Sequence, residues 1–496
     1  MRTFGNIIGN QEIVNSNSTY FNTSNPKDNK PIDNRFYEAT LDDLILATQL
    51  AQKALYPYSK SKKKSAFLEL IANKLEINRD QLISSYCLES GLPENRAHSE
   101  LNRTIYQLIS FSELIKQENW EITHSSPADE LRSPTRKPEL IKKRLPIGVV
   151  AVFGASNFPF AYSTVGGDTA SAFASGCPVI VKCHPFHAET STLVARLIID
   201  SMKELDLPEG TFSHLLSSDY AIGEALVNNP IVSAVGFTGS IKGGLALQQI
   251  AQNRSVPIPV FAEMGSQNPI FIFESAFKND NTESLGKKLI ASITQNSGQF
   301  CTKPGIIFIP NTPHGIDLVN ALKKSLHEQE IEAMLHKNIW NNFKQLTSLI
   351  HEQPGVKQLV SIKDSTLENQ GRAILTEVDF ETYISNNVFH QEVFGPHSFI
   401  IRYDSENQLN QFITITDGQL TISIFSDNPE HSLDDVFLFE CQLKAGRIIY
   451  NGVPTGVEVD PAMQHGGPFP SSSDSRFTAV GTDSIERFTR RVTFQK

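Results

Sequence analysis

Between residues 147 and 252 the chain alternates short, nearly continuous apolar runs with longer segments whose apolar positions recur every three to four residues. Ile147-Gly148-Val149-Val150-Ala151-Val152-Phe153 and Pro178-Val179-Ile180-Val181-Lys182 read as strands covered on both faces, because a strand with one wet face alternates instead. Further strands are predicted at 212–216 and 231–237. Helices are predicted at 190–205, with Leu193, Val194, Leu197 and Ile198 inward, and at 222–227 and 241–252. This alternation predicts a parallel sheet covered by helices, with ligands at the carboxyl ends of the strands. A second such unit follows Pro257, with strands at 270–273, 305–309, 399–403 and 421–425 and helices at 282–297, 316–328 and 338–350.

The flanks read differently. Residues 1–39 are polar and rich in Asn, Ser and Pro, which suits loop and short strand. Thr40 and Asp43 form a T-x-x-D capping pattern that opens a helix, and two more amphipathic helices are predicted at 63–76 and 95–116. Between 119 and 144, Pro127, Pro134 and Pro138 forbid a long helix, leaving a linker or an extended arm. The tail, 488–494, alternates large and polar residues and suits an edge strand that pairs with another subunit.

Composition narrows the class. A chain of 496 residues exceeds the size at which one core stops growing, so two or more domains are expected. With 40% hydrophobic and 20% charged residues it reads as globular, and a net charge of −10 argues against general nucleic-acid binding. No run approaches the length of a membrane span, and residues 1–11 lack the basic and apolar regions of a secretory signal. Five cysteines without a C-x-x-C pair favour a reducing, cytoplasmic setting over disulfides or a zinc site.

The candidate chemistry centres on Asn296-Ser297-Gly298-Gln299-Phe300-Cys301. A cysteine on a glycine-containing bend suits a displayed nucleophile, since a thiolate needs open access to an electrophilic carbon; a buried structural cysteine is the alternative. Glu263 stands alone in an uncharged stretch. It is either a carboxyl raised in pKa and suited to general-base work, or the partner of an unseen cation. Gly236-Phe237-Thr238-Gly239-Ser240 joins a strand to a helix, where small residues let backbone N–H groups approach a pyrophosphate, although a structural turn would look similar. Lys182 ends an apolar strand where a nucleotide ribose would lie; a solvated lysine is the alternative.

Five segments in order resemble the aldehyde dehydrogenase superfamily: Phe153-Gly154-Ala155-Ser156-Asn157-Phe158-Pro159, Gly236-Phe237-Thr238-Gly239-Ser240, Glu263-Met264-Gly265, Gln299-Phe300-Cys301 and Glu392-Val393-Phe394-Gly395-Pro396. Gly166-Gly167-Asp168-Thr169-Ala170-Ser171-Ala172, Thr302-Lys303-Pro304-Gly305 after the cysteine, and Asn451-Gly452-Val453-Pro454-Thr455-Gly456-Val457 resemble its 2-oxoglutarate semialdehyde (2,5-dioxopentanoate) dehydrogenase branch. Fatty aldehyde dehydrogenases using NADP share several of these segments. The resemblance implies a Rossmann-like cofactor domain (1–118 and 146–261), a second α/β catalytic domain (262–477) and a small β oligomerisation arm (119–145 and 478–496). It also implies a homodimer or homotetramer.

For the site the resemblance implies that Cys301 attacks the aldehyde, that Asn157 and the Cys301 N–H hold the oxyanion, and that Glu263 activates the hydrolytic water. Glu392 and Phe394 would hold the nicotinamide ribose, and Lys182 the adenosine ribose, with Gly239, Ser240 and Gly244 along the dinucleotide. Relatives preferring NAD often carry a glutamate three residues after that lysine. Here Pro185 takes its place, and with Lys182 and His184 nearby the expected cofactor is NADP, with NAD possible. No metal is expected. The expected substrate is 2-oxoglutarate semialdehyde, the alternative being a medium- or long-chain aldehyde, and a catalytically silent scaffold the remaining reading.

Overall fold

The alternating runs assemble into two large sheets in the computed structural model, which describes residues 2–278, 281–329, 332–361, 369–428 and 434–496. Strands of the first lie in the order Val260–Glu263, Val232–Thr238, Val149–Phe153, Val179–Lys182, Phe212–Leu215, Asn6–Ile8 and Gln11–Ile13. Those from Val260–Glu263 to Phe212–Leu215 are parallel, and the N-terminal pair closes the far edge antiparallel. Every residue of Val149–Phe153 is buried, as a continuous apolar run requires of a central strand. The register sets Phe153 beside Lys182 and Phe237, and Thr238 beside Glu263. The carboxyl ends of four adjacent strands therefore finish along one rim.

Helices cover this sheet. Leu41–Lys60 starts at Thr40, whose side chain and Asp43 cap each other reciprocally. Arg79–Ser90 is a helix that the apolar pattern did not predict, because its buried face includes Ser85, Glu89 and Ser90 beside Leu82, Ile83 and Tyr86. The burial of Glu89 has a partner: it accepts the backbone N–H groups of Glu189 (2.9 Å) and Thr190 (2.8 Å) at the start of Ala188–Glu204. A carboxylate there satisfies donors that the helix itself leaves open.

The second sheet runs Val356–Ser361, Ile374–Val378, His397–Tyr403, Ile306–Pro310, Ile270–Ile272, Gln419–Phe425 and Ala445–Tyr450. Neighbours are parallel except at Val356–Ser361. Its core includes Phe271, Phe308, Phe412 and Phe437 in edge-on and stacked contacts.

The proline-rich segment supplies two strands, Ile122–Ser126 and Leu140–Pro146, and the tail strand Thr489–Gln495 pairs antiparallel with the latter. The alternation of the tail, which suits pairing with another subunit, is thus met on one side within the chain. That strand remains at the edge of its three-stranded sheet.

Candidate active site

The helix Thr282–Thr294 gives way to a bend: Asn296, Ser297 and Gly298 follow with φ of 49°, 53° and 64°. A left-handed conformation costs residues bearing a β-carbon roughly 1–2 kcal/mol each, so the turn must be held from outside. Ser297 Oγ donates to the Glu332 carbonyl (3.0 Å), and Gln299 bridges the Asn296 carbonyl (3.0 Å) and the Leu335 N–H (3.0 Å). At Gly298 a β-carbon would lie 2.5 Å from the carbonyl of Gly395, which excludes any other residue. Beyond the bend, Asn268 Nδ2 donates to the carbonyls of Cys301 (2.8 Å) and Lys303 (3.0 Å).

Cys301 is half-buried, and its Sγ lies 3.7 Å from His465 Nε2. Burial first, then the carboxyls of Glu263 and Glu392, push the thiol up to about 12, against the pull of Arg447. Burial also drives His465 down to about 3, aided by Arg447, Arg103 and Arg487, so the ring is neutral. Asn157, beyond the strand Val149–Phe153, donates Nδ2 to the Gln299 carbonyl (2.9 Å), and its amide carries a second N–H.

Glu263 ends its strand buried, with Oε2 bonded to no described residue. Burial raises its carboxyl well above the usual range; Arg487 opposes the rise and Asp168 adds to it. Arg487 is itself buried and lies 2.7 Å from Asp168. Around the thiol stand Phe158, Phe300 and Tyr162, with Arg96 over the Phe158 ring and Arg103 bonded to the Tyr162 hydroxyl (2.9 Å). Arg447 donates to the carbonyls of Pro454 (2.7 Å) and Gly456 (2.9 Å).

Along the strand rim lie the residues expected to meet a dinucleotide. Lys182 donates to the Ser217 carbonyl (2.7 Å). His184 caps the short turn Pro185–His187, and burial holds its ring neutral. Ser240 caps the helix Ile241–Gln252 through the Gly243 N–H (3.1 Å). A β-carbon on Gly239 would meet the Phe237 ring at 2.6 Å, and one on Gly244 would meet Met264 Sδ at 2.5 Å. Glu392 sets Oε2 where a β-carbon of Gly265 would stand 1.9 Å away, and Phe394 follows it half-buried. A cradle closed to side chains, a capped helix terminus and strand ends on one rim fit a dinucleotide. Lys182 and Ser240 with the glycines would hold its nucleotide half, and Glu392 with Phe394 its nicotinamide half. Among the described residues no cluster of three or more His, Cys, Asp or Glu could hold a metal ion, and no helix is long and apolar enough to cross a membrane.

The model of the aldehyde dehydrogenase family matches residues 13–494. The chain belongs to the aldehyde dehydrogenase family. It is 37% identical to alpha-ketoglutaric semialdehyde dehydrogenase 2 of Azospirillum brasilense, covering 100% of this chain and 95% of that one. It is 38% identical to alpha-ketoglutaric semialdehyde dehydrogenase of Acinetobacter baylyi, covering 98% and 92%. In fold it is similar to the NADP-dependent glyceraldehyde-3-phosphate dehydrogenase of Bacillus halodurans complexed with NADP, at a TM-score of 0.86, 18% identity and coverage of 100% and 99%.

In this aldehyde dehydrogenase the packing brings Asn157 onto the Cys301 loop and Glu263 within electrostatic reach of its thiol. Three neighbours escaped the sequence reading of the site: His465 beside the thiol, the Asp168–Arg487 pair beside Glu263, and Lys303. Asp168 lay within a quoted motif, and an arginine in the apolar surroundings of Ile485 and Phe488 was the available signal for its partner.

Proposed function

We propose that this aldehyde dehydrogenase oxidises 2-oxoglutarate semialdehyde (2,5-dioxopentanoate) to 2-oxoglutarate, with NADP preferred over NAD. The observation that carries the choice of substrate is the pair of arginines around the thiol: Arg447 acts on Cys301 and Tyr162, and Arg103 is bonded to Tyr162. A carboxylate at the far end of the aldehyde would find a charge-assisted partner there, whereas a fatty chain would use neither cation. The names borne by the two relatives above support the same substrate.

Cys301 Sγ would attack the aldehyde carbon, and Glu263 would take the thiol proton and release it to solvent before the hydrolytic step. The oxygen of the resulting thiohemiacetal would receive the free Asn157 N–H and the Cys301 backbone N–H, each worth about 3 kcal/mol by the usual effect of one such donor. The dinucleotide, when bound, supplies the hydride acceptor that turns this adduct into a thioester. Glu263 would then draw a proton from water as it attacks the thioester carbon, and Cys301 would leave with the electron pair of the C–S bond.

NADP is favoured because Pro185 leaves no carboxylate three residues after Lys182, which supplies a positive charge. Residues 1–118 and 146–261 would form the cofactor domain, 262–477 the catalytic domain, and 119–145 with 478–496 the oligomerisation arm of a homodimer or homotetramer. The apolar row Val436, Phe439 and Leu443, exposed on one helix beside the edge strand Ala445–Tyr450, supports association. Five unbridged thiols suit a cytoplasmic setting.

The test is initial rates with 2-oxoglutarate semialdehyde, succinate semialdehyde and hexanal, each with both dinucleotides, for the wild type and Arg447→Met. The substitution should lower kcat/KM for the two carboxylate-bearing aldehydes by about 30-fold or more, and for hexanal, which loses only the pull of Arg447 on the thiol, by far less. Hexanal as the best wild-type substrate would overturn the reading, and a tenfold advantage of NAD would overturn the cofactor preference.

A further inference from the structure

Lys303, just beyond the nucleophile, is 2% exposed, a burial that lysine tolerates only when its charge is answered. Its Nζ donates to the backbone carbonyl of His397 (2.7 Å), a dipole that leaves the positive charge uncompensated. The opposite charge is Glu392. Lys303 and Glu392 line one narrow gap together with Ser266, Gln267 and His397, and the gap has no room for a water molecule. Where little water can enter, two opposite charges interact more strongly than across open solvent. Burial draws Lys303 down and Glu392 up, and each charge opposes the displacement of the other. The other titratable groups that face them are His397, held neutral by burial, and the Cys301 thiol. Glu392 is confined on its far side by the bare Cα of Gly265.

We infer that Lys303 is a positioning residue for Glu392: its ammonium attracts the carboxylate across the gap they both line and so keeps it placed to accept the hydroxyls of a ribose. The inference rests on the assignment of Glu392 to the nicotinamide ribose. It gives the Lys303 of the Thr302-Lys303-Pro304-Gly305 segment a task on the dinucleotide side, although the segment follows the nucleophile.

Equilibrium binding of NADPH, read by its fluorescence between pH 6 and 9, separates the possibilities in the wild type, Lys303→Met, Lys303→Gln, Lys303→Arg and Glu392→Gln. Loss of the ammonium should weaken binding about tenfold and move the pH above which binding is strong upward by about one unit, because the unassisted carboxyl ionises later. Lys303→Arg should restore much of the affinity and the midpoint, and the KM for aldehyde should move less than about twofold. If Glu392→Gln weakens binding while both neutral variants at 303 bind with wild-type affinity and midpoint, the role of Lys303 is refuted and that of Glu392 stands. If Glu392→Gln binds as the wild type does, the ribose assignment itself falls and takes the inference with it. A lower melting temperature in Lys303→Met with unchanged affinity would likewise reduce Lys303 to a structural part.

Discussion

His465 Nε2 stands 3.7 Å from Cys301 Sγ, and the ring carries no charge. An imidazolium at that distance would hold a thiolate, as in cysteine–histidine pairs, but three arginines and burial keep this ring neutral while burial raises the thiol to about 12. The resting nucleophile is therefore a thiol. Carbamidomethylation of Cys301 should speed up about tenfold per pH unit between pH 7 and 10 without a plateau. His465→Asn should alter that rate by less than about threefold. A plateau already reached at neutral pH would show a thiolate at rest.

Glu263 has one carboxyl oxygen without a described partner and a proton affinity raised by burial. Glu263→Gln should therefore slow the burst of reduced dinucleotide in rapid-quench experiments and lower steady-state turnover by about 10²–10⁴-fold, because thiol deprotonation and thioester hydrolysis both lose their base. A burst as fast as that of the wild type would show that another base deprotonates Cys301.

Lys182 is tied through the Ser217 carbonyl to a loop where two carboxylates meet, its own Asp219 and Glu38 of the N-terminal segment. Asp219 accepts from Ser217 Oγ (3.1 Å), and Glu38 accepts from the Ser218 N–H (3.0 Å). Both act on Lys182. Their negative charge opposes a 2′-phosphate, so Glu38→Gln should raise the ratio of kcat/KM for NADP over NAD by about five- to tenfold. A ratio that stays put would place Glu38 outside the field of the phosphate.

Glu89 joins two helices by accepting the Glu189 and Thr190 N–H groups and the Thr190 hydroxyl (2.7 Å). Glu89→Ala leaves these buried donors open and should destabilise the protein by about 2–4 kcal/mol. Calorimetry should find the first unfolding transition lowered, with kcat per folded molecule unchanged.

The two-sheet architecture was legible because strands buried on both faces cannot hide their apolar runs, as Val149–Phe153 illustrates. The helix Arg79–Ser90 was not, because Ser85 and Glu89 turn inward to partners that only the folded chain supplies. The same division runs through the site. Cys301, Glu263 and Asn157 stand in recognisable segments, whereas Asp168 and Arg487 meet only after the tail folds against the helix Gly167–Ser175. Glu392 also stands in a recognisable segment, but nothing in the sequence sets Lys303 beside it; the two line one gap only in the folded chain.

The bend at Gly298 abuts the Gly395 carbonyl and Pro396 with no space for a side chain. The sulfur-bearing loop and the segment beginning at Glu392 therefore meet backbone to backbone. A substitution that displaces one backbone would press on the other, so a side chain added at Gly298 would be felt by both segments.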